Sequence, residues 1–404
     1  MTMTLSIHVL VLLACVLSAS TFCPHSSVER RRAATTLLSS SSSSSTENQV
    51  STTTPHPKSQ KYLGLLTFDL DDSLYPLERV INEANEAFVR AMNNYGFTDI
   101  TPWTIDKTGR RIRQEMAKTD PEGAAVLTHT EVRLLAIREE MERIILERKL
   151  KATAEDWATD VNSLTDIVVK SAQQWAKNAV SPSVVQAVHT AWEMERYHAA
   201  ERNLYPEVID VLKQIKEDHP NVIIGAVTDG KANPMLMTFT LAPYFDFCMS
   251  WEDDQGARRK FFKELASASS NAELTWIYDA AKEKYRILAE AVADIDAARK
   301  NKEPLKYEDA VWIHVGDDLA YDVGGSTSCG AKTIYLELDE KYGQTARTRF
   351  DGREQPSWST SSEEEIEKRR IMNEQALEYV DAKISFLTRL PEAINDILEQ
   401  ENEQ

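Results

Sequence analysis

The sequence predicts an α/β protein: a doubly wound parallel sheet with an inserted all-helical domain. Three observations carry this. The runs KYLGLLTFDL, NVIIGAVTDG, AVWIHVGDD and AKTIYLEL are short and almost continuously apolar, as strands buried on both faces are. Helical periodicity separates the later runs, and strands alternating with helices imply parallel pairing. Between the first run and the second lies a long stretch with helical spacing and no strand pattern.

Taken in order, the body starts near Lys58 and its first strand near Lys61. Residues 78–202 form the predicted helical cap, with apolar residues at helical spacing in LERVINEANEAFVRAMNNYGF, HTEVRLLAIREEMERIILERKL and SLTDIVVKSAQQWAKNAV. Residues 58–77 and 203–404 form the predicted core domain. Within it YPEVIDVLKQIKE reads as a helix, YFDFCMSW as a short strand, and AELTWIYDAAKEKYRILAEAVADIDAARK as a helix. GGSTSCG opens a short helix, and Gly324-Gly325 permits its close approach to the sheet. Residues 338–377 are a polar insertion, read as a loop plus an exposed helix, before a last short strand and a terminal helix.

Composition sets limits on function. The 404 residues carry a formal net charge of −18. So acidic a surface argues against nucleic acid and against an anionic membrane as partners, while a local site can still take a small anion. Residues 1–57 differ from the rest. An apolar run over residues 5–20 suits a signal-peptide core, and Arg30, Arg31, Arg32 and a Ser-rich tract follow, with few acids. The tandem resembles the bipartite leaders of algae with complex plastids, and SASTFCP resembles their cleavage signature. The expectation is a disordered leader directing a mature protein without a membrane span to a plastid, with secretion as the alternative. Only Cys248 and Cys329 lie in the body, too few for a disulfide framework.

The chemistry-bearing residues gather at predicted strand ends. The first strand ends in Asp69 and Asp71, the second in Thr228, Asp229 and Gly230, and the fourth in Asp317, with Asp322 just beyond. The segment GARRK, with Lys260, follows the third. In a parallel sheet these ends share one edge, where ligands bind. Clustered carboxylates repel one another and are tolerated where a cation or chemistry needs them.

Four motifs in order, FDLDDS, VTDG, Lys260 and GDDLAYD, resemble the haloacid dehalogenase-like (HAD) hydrolases, with the helical insert in the position of that family's cap. LTFDLDDSLYP, AVTDGKANP and IHVGDDLAYDVGGSTSCGAKTIYL further resemble the bacterial phosphatases of flavin mononucleotide (FMN) and of the phosphorylated ribitylamino-pyrimidine of riboflavin synthesis. The resemblance implies an Mg²⁺-dependent phosphatase of a small phosphorylated metabolite. Asp69 is then the nucleophile and Asp71 the general acid and base. Asp69, Asp317 and the backbone carbonyl of Asp71 bind the metal. Thr228, with Asp229 and Gly230, holds the phosphoryl group beside Lys260, and Asp322 supports the site from behind. An acid at Asp71 favours phosphoryl transfer over dehalogenation. Ser73 stands where the family has Thr. Lys260 is followed by Phe261 where the family has Pro, and Arg259 and Lys263 compete for its role. Phosphoglycolate, a sugar phosphate or a nucleotide are alternative substrates, and a phosphomutase or a non-catalytic binding protein of the same fold are alternative functions.

Other residues read as structural. His314 and Cys329 are expected in the core, and Trp251 and Trp276 in packing. Asp72 and Asp318 are expected as exposed or helix-capping acids. The cap arginines Arg110, Arg111, Arg133 and Arg196 are expected on solvated helix faces.

Overall fold

The computed structural model describes residues 60–252, 275–299, 307–345 and 363–403. The leader and Arg259, Lys260 and Lys263 lie outside these residues, as does the middle of the polar insertion. Six strands form one sheet in the order β3-β2-β1-β4-β5-β6. They are β1 (Tyr62–Phe68), β2 (Ile223–Thr228), β3 (Phe247–Ser250), β4 (Ala310–Gly316), β5 (Lys332–Leu336) and β6 (Ala382–Ile384). All neighbouring pairs are parallel. β1 is central, with Phe68 opposite Ala226 of β2 and Val315 of β4.

Parallel strands need crossovers, and these cover both faces. On one face Leu66 and Phe68 pack with Leu212 and Ile215 of α7 (Val208–Asp218) and with Ile394 and Ile397 of the terminal α10 (Leu390–Glu403). On the other, Leu65 and Trp312 pack with Ile277, Tyr278 and Ala281 of α8 (Trp276–Arg299). Alternate β1 residues therefore meet different helices, which is why the strand reads as an unbroken apolar run.

Between β1 and α7 the chain is helical among the described residues. The helices are α1 (Leu77–Asn94), α2 (Pro102–Thr119), the short α3 (Pro121–Ala125), α4 (His129–Asp156), α5 (Asp166–Ala179) and α6 (Pro182–Arg202). Their starts are written in the sequence. Thr101 caps α2 ahead of Pro102, and Thr128 with Glu131 makes a reciprocal capping box on α4. This cap has its own core, in which Phe88 and Met92 of α1 meet Ile137 and Met141 of α4 and Trp192 of α6. Among the described residues no helix is long and apolar enough to cross a membrane.

The helix α9 (Glu363–Ala376) of the polar insertion differs from the expectation of a free, exposed helix. It docks on the turn after β4. Arg369 Nη2 donates to Asp318 Oδ2 (2.5 Å) and stacks on the Tyr321 ring, and Asn373 Oδ1 accepts from the Ala320 amide (2.9 Å). Its composition hides this, because the docking face is polar.

Candidate active site

The site begins where β1 runs out. The Asp69 amide donates to the Val315 carbonyl (2.9 Å), so the ladder to β4 holds Asp69 at the sheet edge. The chain then turns sharply at Asp72, whose φ of 61° is left-handed. Asp72 is fully buried, not exposed. Its Oδ1 accepts from the Leu77 amide at the start of α1 (2.8 Å) and its Oδ2 from the Thr345 amide (3.1 Å). The third acid of the cluster is thus a cap and a tie to the polar insertion, which leaves Asp69 and Asp71 for the cleft.

β4 brings Asp317 alongside. Carboxylate oxygens of Asp69, Asp317 and Asp322 lie within 4.8 Å of one another. Ser73 Oγ donates to Asp317 Oδ1 (2.9 Å) and makes a longer bond to Asp69 Oδ2 (3.4 Å). Asp322 is fixed from behind. Its Oδ2 accepts from the Asp318 amide (2.8 Å), and its Oδ1 accepts from Tyr278 Oη (3.0 Å) and lies 3.2 Å from His314 Nε2. His314 Nδ1 meets Thr67 Oγ1 (2.8 Å), which accepts from Trp312 Nε1 (2.9 Å). The chain is consistent if Thr67 donates to Nδ1 and Nε2–H donates to Asp322. His314 is a buried core histidine, and it also aims Asp322. Gly316 has to be glycine, since a Cβ there would sit 2.1 Å from Asp322 Oδ2.

β2 supplies the other wall. Thr228 is buried, and its Oγ1 accepts from the Gly230 amide (3.2 Å). Asp229 is exposed at the edge. A Cβ on Gly230 would lie 3.2 Å from Asp71 Oδ2 and 3.1 Å from Arg196 Nη2, so the bare backbone makes room for both.

Electrostatics set this cluster apart. The Asp69 carboxyl is held well above its ordinary value, first by burial and then by Asp322, Asp317, Asp71 and Asp229. Asp71 is raised by burial, with Arg196 opposing. Its Oδ1 is buried without a hydrogen-bond partner. Converging hard oxygen donors in an excess of negative charge fit a small divalent cation such as Mg²⁺. The side chains brought together for it are Asp69, Asp317 and Asp322. The Asp71 side chain points instead to the cap.

That contact was not legible as function. Arg196 is 4% exposed, not on a solvated face, and its Nη2 donates to Asp71 Oδ2. The signal was its place four residues after Trp192 on the buried stripe of α6. Arg133 is half-buried, with its guanidinium 3.8 Å from the centre of the Trp192 ring. Arg110 is half-buried near Asp106, and Arg111 alone behaves as a surface residue, bonded to Glu115 (2.7 Å) and to Glu139. Trp251 and Trp276 pack edge to face at 5.8 Å. The Cys329 thiol, pushed up to about 12 by burial, is a packing residue.

No protein-family model and no curated protein matches the chain. Among solved structures it is similar to a 2-haloacid dehalogenase from Pseudomonas syringae pv. Tomato, at 16% identity and a TM-score of 0.42, over 83% of this chain and 99% of that one. It is also similar to a HAD hydrolase from Bacillus subtilis bound to magnesium (13%, TM-score 0.31, 83% and 100%). A HAD phosphatase from Thermococcus onnurineus matches at 12% and a TM-score of 0.30, over 82% and 98%. The parallel order, the helical insertion directly behind β1 and the acids at the ends of β1 and β4 make this a doubly wound α/β fold with an inserted helical domain, as the sequence predicts.

Proposed function

We propose that the protein is an Mg²⁺-dependent phosphatase that hydrolyses a small phosphomonoester through an aspartyl-phosphate. One observation carries the reading. Asp69, Asp317 and Asp322 converge within 4.8 Å at the sheet edge, with Asp71 beside them turned toward the cap. A surface acid cluster has no reason to be this buried.

Mg²⁺ would be held by Asp69, Asp317 and the Asp71 carbonyl, and when bound it offsets the repulsion between a carboxylate and a phosphate dianion. Asp69 then forms a bond to phosphorus as the ester P–O bond breaks. Asp71 gives its proton to the departing oxygen. In the second half Asp71 takes a proton from water, water oxygen bonds to phosphorus, and the Asp69–phosphorus link breaks. Thr228 and the Gly230 amide hold phosphoryl oxygens, and Lys260, or its neighbours Arg259 and Lys263, neutralises the charge that remains. Asp322 keeps the β4 turn and Asp317 in place.

The substrate reading rests on sequence resemblance and favours FMN or the ribitylamino-pyrimidine phosphate of riboflavin synthesis. Phosphoglycolate, a sugar phosphate or a nucleotide is the second reading, and Arg133 and Arg196 on the cap favour phosphoglycolate within it, since its leaving group carries a second anion. The leader supports action in a plastid, with secretion as the alternative. The test is phosphate release by the body from Lys58 with Mg²⁺ across these compounds. Activity lost in Asp69→Asn is expected. A preference for the first two supports the riboflavin assignment, and activity on the others alone removes it. Release of phosphate from none of them contradicts the phosphatase reading.

A further inference from the structure

The cap carries a cation that, among the described residues, is paired with no acid. Arg133 sits in the second turn of α4, and its guanidinium lies on the face of Trp192 from α6. Among the described residues it makes no hydrogen bond and no ion pair. Its charge is partly desolvated and further opposed by Arg196. Arg196 lies 5.9 Å from the same indole ring, is anchored to Asp71 through Nη2, and has a buried Nε with no acceptor.

Burying a guanidinium is costly unless something pairs it. Two of them on one indole compound the cost. The nearby opposite charges are Asp106 and Glu252, and each acts on Arg133 without an ion pair forming. The fields of Arg113, Asp229, Glu252 and Arg133 also act on His129, at the start of α4. Arg110 and Arg133, both in the cap, act together on the Asp106 carboxyl.

Position gives the unpaired donors a meaning. Asp71 is the group that meets the leaving oxygen, and Arg196 touches Asp71. A leaving group that departs from Asp71 toward the cap therefore passes Arg196 and meets the face that carries Arg133. We propose that Arg133 and the free edge of Arg196 bind a second anionic group, a carboxylate or a phosphate, on the leaving group. The substrates are then short phosphomonoesters with a second anion a few atoms from the ester oxygen. The assignment rests on the phosphatase reading. A neutral flavin leaving group does not supply that anion.

Calorimetric titration with hydrolysis-resistant analogues in the presence of Mg²⁺ tests this without turnover. Ethylphosphonate carries only the phosphoryl mimic, phosphonoacetate adds a carboxylate, and propane bisphosphonate adds a second phosphate mimic. The wild-type body should bind at least one of the latter two ~tenfold or more tighter than ethylphosphonate. Which one it prefers names the second group. Arg133→Gln should erase the difference and leave ethylphosphonate affinity within about twofold, and Arg133→Lys should restore part of it. Equal affinity for all three in the wild type overturns the proposal, as does a preference that survives in Arg133→Gln. Failure of the wild type to bind even ethylphosphonate would sink the phosphatase reading itself.

Discussion

Arg196, on the last cap helix, donates to Asp71, at the end of the first core strand, 125 residues earlier in the chain. Both side chains are almost buried, at 5% and 12% exposure. The cap thus touches the one carboxylate that has to change protonation in the proposed cycle. Arg196 opposes the rise that burial imposes on Asp71. Arg196→Met therefore lets the Asp71 carboxyl rise further. An acid with a higher pKa stays protonated to higher pH, so the alkaline limb of the kcat/KM profile should move upward in the variant. Removing one partner of a buried pair should also cost about 3–5 kcal/mol of stability. An unmoved alkaline limb would show that Asp71 is not the acid.

Without metal, Asp69 should make stability depend on pH. Its folded pKa lies well above its unfolded value, so the folded state holds its proton longer. The sign follows by linkage: no penalty exists below the ordinary carboxylate value, and the penalty is complete above the raised folded value. In EDTA the wild type should gain thermal stability as pH falls from 8 toward 5, relative to Asp69→Asn. Melting curves of the two proteins with parallel pH slopes would contradict this. Added Mg²⁺ should raise the wild-type Tm at pH 8 and leave Asp317→Asn nearly unchanged.

Asp106 makes a similar prediction for the cap. It is 7% exposed, and burial raises it to about 6 against the pull of Arg133 and Arg110. Its contribution is therefore favourable at low pH and is lost as pH rises through about 6. Asp106→Asn should be more stable than the wild type at pH 8, by up to about 3 kcal/mol, and the gain should vanish near pH 4. Urea unfolding at the two pH values measures it. A gain of the same size at both would contradict the assignment.

Arg369 should act through the metal. Its bond to Asp318 and its stacking on Tyr321 hold the turn between Asp317 and Asp322. Arg369→Met should raise the Mg²⁺ concentration needed for half-maximal activity by ~10–100-fold, as expected for a lost charged hydrogen bond. The rate at saturating Mg²⁺ should change little. Arg369→Lys should recover part of the affinity. A fall in the saturated rate with Mg²⁺ dependence intact would make the residue structural only.

The sheet and the acids at its edge were legible because backbone periodicity and strand ends are local signals. Parallel strands buried on both faces write their burial as continuous apolar runs, and Asp69, Thr228 and Asp317 follow such runs directly. The supporting contacts are not local. His314 and Tyr278 meet Asp322 from another strand and from a distant helix. Thr345 reaches Asp72 across 273 positions, and Arg369 reaches Asp318 from a helix with an unremarkable polar composition. Arg196 and Arg133 were missed for a different reason. An arginine on a helix is ordinarily solvated, and only the pairing of α4 and α6 around Trp192 buries these two.

The central claim is that Asp69 takes the phosphoryl group. Wild-type protein mixed with Mg²⁺ and a turned-over phosphomonoester, quenched in acid within milliseconds and digested, should yield the peptide over residues 65–76 carrying a phosphoryl group on Asp69. Asp69→Asn should show neither the adduct nor phosphate release. Phosphate release by the variant at the wild-type rate, or rapid wild-type turnover with Asp69 unmodified at every quench time, would contradict the account.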